Sequence, residues 1–162
     1  MQVARGCDAS WRQGFVVLKI ALVSSIGGHL SELLELLPAF EGHEIVWITN
    51  DPSPVLPPEI RPILVAHAER DWRVLANFVE FAAILGREKP DVVVSMGAGP
   101  AVPAAVVARL AGVPVLYIEP SSAVRRATVT GRLMRLLADE RWVQWPGMVQ
   151  VLKGSRYVGG LL

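Results

Sequence analysis

A single cysteine, no long apolar run and almost no net charge set the first limits on this chain. Cys7 is the only cysteine in 162 residues, so no internal disulfide can form, and the composition fits a reducing compartment. No apolar run reaches the ~18 residues that a membrane-spanning helix needs. The longest near the N-terminus, FVVLKIALV at 15–23, is interrupted by Lys19. Sixteen Lys and Arg against fifteen Asp and Glu leave a net charge of +1, which gives no bulk field to attract nucleic acid. The opening MQVARGCDASWRQG has some basic and small-residue character of a signal peptide. No small-residue cleavage site follows it, and the apolar run continues into a glycine loop. Residues 1–14 therefore read as a tail ahead of the first strand.

What is present is grease. The chain is 52% hydrophobic and only 19% charged, with a mean hydropathy of +0.40. Its length fits one domain, 15–162, with a real core. The surplus must be buried in a partner or laid against a membrane.

The pattern along the chain is α/β. Residues 16–24 read as a buried parallel-type strand. After a glycine loop, Leu30, Leu33, Leu34 and Leu37 follow helical spacing, with Pro38 expected to stop the helix. Strands are expected at 43–50 and 63–68, separated by a proline-dense loop at 51–62. Residues 71–88 predict a long helix with two apolar stripes. Trp72, Leu75, Ala76, Val79, Ala82 and Ala83 make one; Val74, Phe78, Phe81 and Leu85 make the other. Arg73, Asn77, Glu80 and Arg87 form the polar face. Two stripes exceed what packing on a sheet requires, so the helix is either centrally buried or offers a surface to a partner or membrane.

Residues 90–120 alternate strand, glycine loop, alanine-rich helix and strand, a βαβ unit. A helix at 128–139, a short strand at 141–145 and a last strand within 155–162 complete a single Rossmann-like, doubly wound parallel sheet.

Ligands in such folds bind beyond the carboxyl ends of the strands, and three segments fall there. In SSIGGHLSELL, Gly27 and Gly28 permit close approach to the backbone, and the helix start beyond them suits a phosphate. His29 beside them is either a general base or a histidine capping its helix. In MGAGPAVPA, Gly97 and Gly99 open a second loop, and Pro103 falls in the first helical turn. Val102 stands where the third glycine of G-x-G-x-x-G belongs, which argues against a dinucleotide site and a free-standing reductase. The loop is a second backbone cradle or a tight turn. In YIEPSSAVRRATVTGR, Glu119 ends a buried strand and is either functional or paired to a donor. Arg125, Arg126, Arg132 and Arg135 follow; they suit a diphosphate head group at a membrane surface or form a solvated face.

Taken in order, SIGGHLSELL, DVVVSMGAGPAVPAAVVARLAGVPVLYIE, TVTGRLMRLLADERWVQWP and YVGGLL resemble one glycosyltransferase subunit family over about residues 18–162. It comprises the membrane-associated acceptor half of the two-chain N-acetylglucosaminyltransferase of eukaryotic lipid-linked oligosaccharide synthesis. Its bacterial relatives are the PssD-type proteins of exopolysaccharide and capsule assembly. LADERWVQWP is the most specific block, since no physical rule demands it.

The resemblance implies the N-terminal half of a GT-B glycosyltransferase similar to MurG, split off as its own chain. Gly27, Gly28 and His29 match the first glycine loop, Gly97, Gly99 and Pro103 the second, and Glu119 the carboxylate of the third. The implied reaction is inverting and metal-independent, without a cofactor. A sugar of the N-acetylglucosamine or glucuronic acid type would pass from a UDP-sugar to a polyprenyl-diphosphate-linked acceptor, with His29 or Glu119 as base. The partner implied is a UDP-sugar-binding glycosyltransferase subunit, and the chain would be inactive alone. The alternative is a non-catalytic membrane recruiter for that partner.

Eukaryotic members carry an N-terminal membrane anchor that these 162 residues do not show. Peripheral attachment to the cytoplasmic face of the membrane is then expected to rest on apolar faces and arginines. Arg132 stands where a lysine is common after Thr-Gly in the family, keeping the charge but changing the donor geometry.

Overall fold

Short strands of Val, Ile and Leu can be buried on both faces only if every chain return crosses over a face of the sheet. This chain does so throughout. A computed structural model describes residues 16–50, 56–57, 59–66 and 73–160. The expected tail, Cys7, Trp72 and half of the proline-dense loop lie outside them.

The described elements are β1 (Lys19–Ser24), α1 (Gly28–Glu35), β2 (Glu44–Thr49), β3 (Ile63–Leu64), α2 (Arg73–Glu88), β4 (Val92–Ser95) and α3 (Ala101–Leu110). Then follow β5 (Val115–Ile118), α4 (Val129–Leu137), β6 (Glu140–Val143), α5 (Met148–Val151) and β7 (Arg156–Tyr157). They build one sheet in the order β3-β2-β1-β4-β5-β6-β7. Every neighbouring pair is parallel, with Ala21 beside Val46 and Val93, and Val94 beside Leu116. The expected α/β class and doubly wound sheet are what the chain adopts.

Helices cover both faces. Ala21, Val23, Ile48 and Val93 pack with Phe81 and Leu85 of α2, with Ala101, Ala104, Ala105 and Ala108 of α3, and with Met134 of α4. The four alanines are essentially fully buried, and their small side chains let α3 sit close on the sheet. On the other face Leu30 and Leu33 of α1 close over Ile20, Leu22 and Trp47. Lys19, an interruption in the sequence, opens β1 and pairs its ammonium with Glu44 at 2.9 Å and Glu88 at 3.2 Å. Asp91 and Asp139, each just ahead of a strand, accept the backbone N–H of Lys19 and Val115 at 2.7 and 2.8 Å. They tie neighbouring strands together at the edge opposite the ligand loops.

Several local expectations are corrected. Pro38 does not stop a helix: α1 ends at Glu35, and Pro38 sits at the start of a 3-10 turn, Leu37–Phe40, where its missing N–H is harmless. Val16 and Val17 are exposed and precede β1. β6 ends at Val143, because Pro146 and Gly147 turn the chain into the short helix α5. The last strand is only Arg156–Tyr157, and Gly159 at φ 96° follows it.

The two stripes of α2 have different fates. Phe81 and Leu85 are buried, whereas Leu75 is 68% and Val79 72% exposed. Asn77, expected on the polar face, is 1% exposed and sits one turn before Phe81 on the inward side. Glu80 accepts the Ala66 N–H at 3.0 Å.

Phe81 is the largest side chain that α2 buries completely. Phe81→Ala is expected to destabilise the protein by about 3–5 kcal/mol, read as a lower urea midpoint at unchanged m-value.

Candidate functional site

A fully parallel sheet sends every carboxyl end to one edge. Because β1, β4 and β5 are adjacent, the three segments singled out in the sequence become neighbours there.

Gly27 is the N-cap of α1 at φ 85°, and no side chain caps this helix. A Cβ built on either Gly27 or Gly28 would meet nothing within 4 Å. The backbone over the start of α1 is therefore open to a ligand. His29 is half-buried in the first turn. Its Nδ1 is buried and has no hydrogen-bond partner among the described residues.

The second loop is more tightly seated. Gly97 is buried at φ 104°, Ala98 also takes a positive φ of 63°, and Gly99 is exposed. Pro100 precedes α3, again without a side-chain cap, and Pro103 is buried in the first turn. A Cβ on Gly97 would crowd the Tyr117 hydroxyl at 3.3 Å. Gly97 is thus required by its fit over Tyr117 as well as by its backbone angles.

Glu119 is 1% exposed and turns inward. Its Oε1 accepts the Thr128 N–H at 2.6 Å, and its carboxylate lies directly against Gly131, where any Cβ would overlap it. Thr128 caps α4 by accepting the Gly131 N–H at 2.9 Å, and its Oγ1 also lies 3.3 Å from the Tyr117 hydroxyl. Burial, reinforced by the Glu119 charge, pushes the Tyr117 phenol far above its usual pKa, so it stays protonated. Of the two roles open to Glu119, donor pairing is the one its contacts fill.

Arg125, Arg126, Arg132 and Arg135 are all exposed. The last two share the outer side of α4 with exposed Val129, Leu133 and Leu136.

Sequence reading missed a second buried carboxylate. Glu32 of α1 is 5% exposed. It accepts the Ser121 N–H and hydroxyl, each at 2.9 Å, and the Gln144 amide at 2.7 Å. Gln144 also donates to the Glu119 carbonyl at 3.2 Å, and the Trp145 indole donates to the Ser121 carbonyl at 2.6 Å. Next to this network Ser121, Ser122, Gln144, Trp145, Pro146, Tyr157 and Gly160 line a shallow cleft of about 410 Å³. Glu32 gives no periodic signal, being on the opposite side of α1 from the leucines. Its partners fall in two segments that the sequence did mark: Gln144 in LADERWVQWP and Ser121 in YIEPSSAVRRATVTGR. Among the described residues no cluster of His, Cys, Asp and Glu could hold a metal ion, and no helix is long and apolar enough to cross a membrane.

Comparison with known proteins bears on the family and the fold. Residues 66–161 match the family described as "Oligosaccharide biosynthesis protein Alg14 like". The chain is 25% identical to the human "UDP-N-acetylglucosamine transferase subunit ALG14" over 195 aligned positions, covering 99% of this chain and 89% of the human one. It is also 25% identical to the "UDP-N-acetylglucosamine--N-acetylmuramyl-(pentapeptide) pyrophosphoryl-undecaprenol N-acetylglucosamine transferase" of Nitrosomonas eutropha, covering 86% of this chain but 43% of that one. In structure it is similar to MurG of Acinetobacter baumannii, with a TM-score of 0.70 at 18% identity, over 88% of this chain and 45% of MurG. UDP-GlcNAc 2-epimerase of Methanocaldococcus jannaschii shares the fold equally well, with a TM-score of 0.72 at 17% identity, over 88% of this chain and 46% of the epimerase. The chain thus spans less than half of each of these larger proteins.

The glycines separate fold from site. Gly131→Ala is expected to lower stability by about 1–3 kcal/mol through overpacking against Glu119. Gly28→Ala, in helical backbone with open space above it, is expected to raise it by about 0.5–1 kcal/mol. Thermal unfolding of both variants checks the contrast.

Proposed function

We propose, from the premise that this chain belongs to the Alg14-like family of oligosaccharide biosynthesis proteins, that it is the acceptor-binding subunit of a two-chain glycosyltransferase. The sugar moved is N-acetylglucosamine, from UDP-N-acetylglucosamine to a polyprenyl-diphosphate-linked acceptor. The names of the human and Nitrosomonas relatives support the donor. The observation that carries the acceptor half of the reading is the open backbone over Gly27 and Gly28. It lies at an uncapped helix start beside His29 and adjoins a second uncapped start at α3.

Such helix ends offer unpaired N–H groups and a positive dipole to phosphate oxygens. Arg125, Arg126 and Arg132 supply the remaining counter-charge. The outer face of α4, with Val129, Leu133 and Leu136 interleaved with arginines, suits the surface of the membrane that holds the lipid. The reading places the chain peripherally at the cytoplasmic face, and the exposed apolar and arginine side chains of α4 support the attachment.

In the reaction His29 takes the proton from the acceptor hydroxyl as that oxygen attacks the anomeric carbon of the donor sugar. The bond to UDP breaks through an oxocarbenium-like state, with inversion. Of the two candidate bases His29 is preferred, because Glu119 is buried and engaged at Thr128. Glu119 holds the loop that bears the arginines. UDP departs with the partner subunit, which supplies the other wall of the cleft, and the chain alone is inactive.

With the partner subunit present, His29→Ala is expected to abolish transfer of radiolabelled N-acetylglucosamine to a polyprenyl-diphosphate acceptor while the two chains still co-purify. Full activity of that variant would remove the histidine from the chemistry. Tyr157 and Gly160 line the cleft at the end of the sheet, the side proposed to face the partner. Deleting residues 157–162 is expected to dissociate the two subunits, seen as loss of the partner on gel filtration.

A further inference from the structure

We infer that Glu32 is a positioning residue for the acceptor site, an inference that rests on the reading of the site given above. It clamps the helix that carries His29 to the loop that carries the arginines. The case rests on where its hydrogen bonds go. Glu32 stands one turn after His29 on α1, yet the three donor groups it accepts from belong to Ser121 and Gln144, about a hundred residues downstream. The Ser121 N–H and hydroxyl reach separate oxygens of the carboxylate, and the Gln144 amide shares one of them. All three are donors, so each needs an oxygen lone pair. A carboxylate supplies these, while an amide supplies one oxygen and a conflicting N–H.

Ser121 is fully engaged by this arrangement, since its carbonyl takes the Trp145 indole. The loop from 119 to 128 is therefore fixed at both ends by buried carboxylates. Glu32 holds its start at Ser121, and Glu119 holds its end at Thr128. Between these anchors stand the exposed Arg125 and Arg126. Glu119 is the first residue past β5 and binds within its own loop, so it shapes that loop without relating it to α1. Glu32 makes that connection, through Ser121. It thereby sets the spacing between the proposed base and the proposed diphosphate-binding arginines. Its carboxylate is occupied by these donors and is not placed to take a proton from the acceptor.

The test uses the full chain with its partner subunit. Transfer from UDP-N-acetylglucosamine to a synthetic polyprenyl-diphosphate N-acetylglucosamine is measured with each substrate varied in turn. For Glu32→Ala, kcat is expected to fall about 10–100-fold, as for other small misplacements of reacting groups. The acceptor KM rises while the donor KM stays unchanged, because the donor belongs to the other subunit. Glu32→Gln, which keeps one oxygen, loses less, and Glu35→Gln on the exposed side of α1 loses nothing. Independently of activity, hydrogen exchange in peptides covering 119–128 and 144–147 is expected to quicken in Glu32→Ala, with β1 and β4 unchanged.

Wild-type kcat and acceptor KM in Glu32→Ala would overturn the inference. So would a loss that merely follows the folded fraction, with both KM values and loop exchange unaltered. A wild-type complex that transfers nothing would overturn the proposed function instead; unaltered exchange at 119–128 would then overturn the clamp as well.

Discussion

The parallel sheet is the constraint from which the rest follows. With every strand running the same way, the loops that leave β1, β4 and β5 open on one edge, and the returning connections are forced onto the faces. The two edges consequently do different work. At the amino edge Lys19, Asp91 and Asp139 spend their charges on strand ends and neighbouring carboxylates. At the carboxyl edge α1 and α3 begin without side-chain caps, so backbone N–H groups that a cap would otherwise satisfy are left to water or a ligand.

Two buried carboxylates hold that edge in shape. A carboxylate out of water is tolerated when several donors surround it. Glu32 has three within 2.9 Å, whereas Glu119 has the Thr128 N–H at 2.6 Å on Oε1 and leaves its buried Oε2 without a hydrogen-bond partner among the described residues. Glu32 reaches from α1 into the ten-residue loop 119–128, and Glu119, at the start of that loop, reaches across to its end at Thr128. That explains how a loop rich in serine and arginine stays ordered with little apolar burial of its own. Ala123 and Ala127 contribute the rest, packed with Val143, Met148 and Leu152. Tyr117 extends the same network beneath Gly97, so the second glycine loop and the start of α4 share one polar floor.

Much of this fold is legible in the sequence because its signals are local. Apolar runs mark β1, β2, β4 and β5, and alternation with helical leucine and alanine patterns marks the crossovers. Glycines at helix starts locate the ligand edge. What escaped is non-local. Glu32 lies on the side of α1 away from Leu30, Leu33 and Leu34, so periodicity assigns it to solvent. It is buried because a loop some ninety residues away folds over it. Asn77 escaped for a related reason: it was grouped with Arg73 and Glu80, yet it shares the inward side of α2 with Phe81 and Leu85. Glu119 was legible in part. Its position at a strand end announced a special carboxylate, but only the contact with Gly131 and Thr128 distinguishes a structural anchor from a base. The resemblance to known glycosyltransferases gave the family from the order of the motifs, something that no local rule could have supplied.

The distribution of surface grease then acquires a reason. A domain of this size can cover both faces of its sheet, and here α1, α2, α3 and α4 do so with one stripe each. Some of the remaining exposed apolar side chains group on two helices, although others, such as Leu64, Leu110, Val149 and Val151, lie elsewhere. Leu75 and Val79 line the outside of α2; Val129, Leu133 and Leu136 line that of α4. Both helices pack against α3, so these side chains belong to one helical layer on one face of the sheet. Solubility alone would place charges there. On α4 the arginines are interleaved with the leucines, a pattern that suits an anionic, apolar-centred surface better than either water or a purely apolar protein partner. The loop bearing Arg125 and Arg126 leads directly into this helix. A lipid carrier lying against α4 would therefore present its diphosphate to the clamped edge without leaving the membrane. The clamp is useful in that setting for a physical reason. In the proposed reading the lipid tail is fluid and cannot orient the head group, so a fixed spacing between His29 and the arginines would do it.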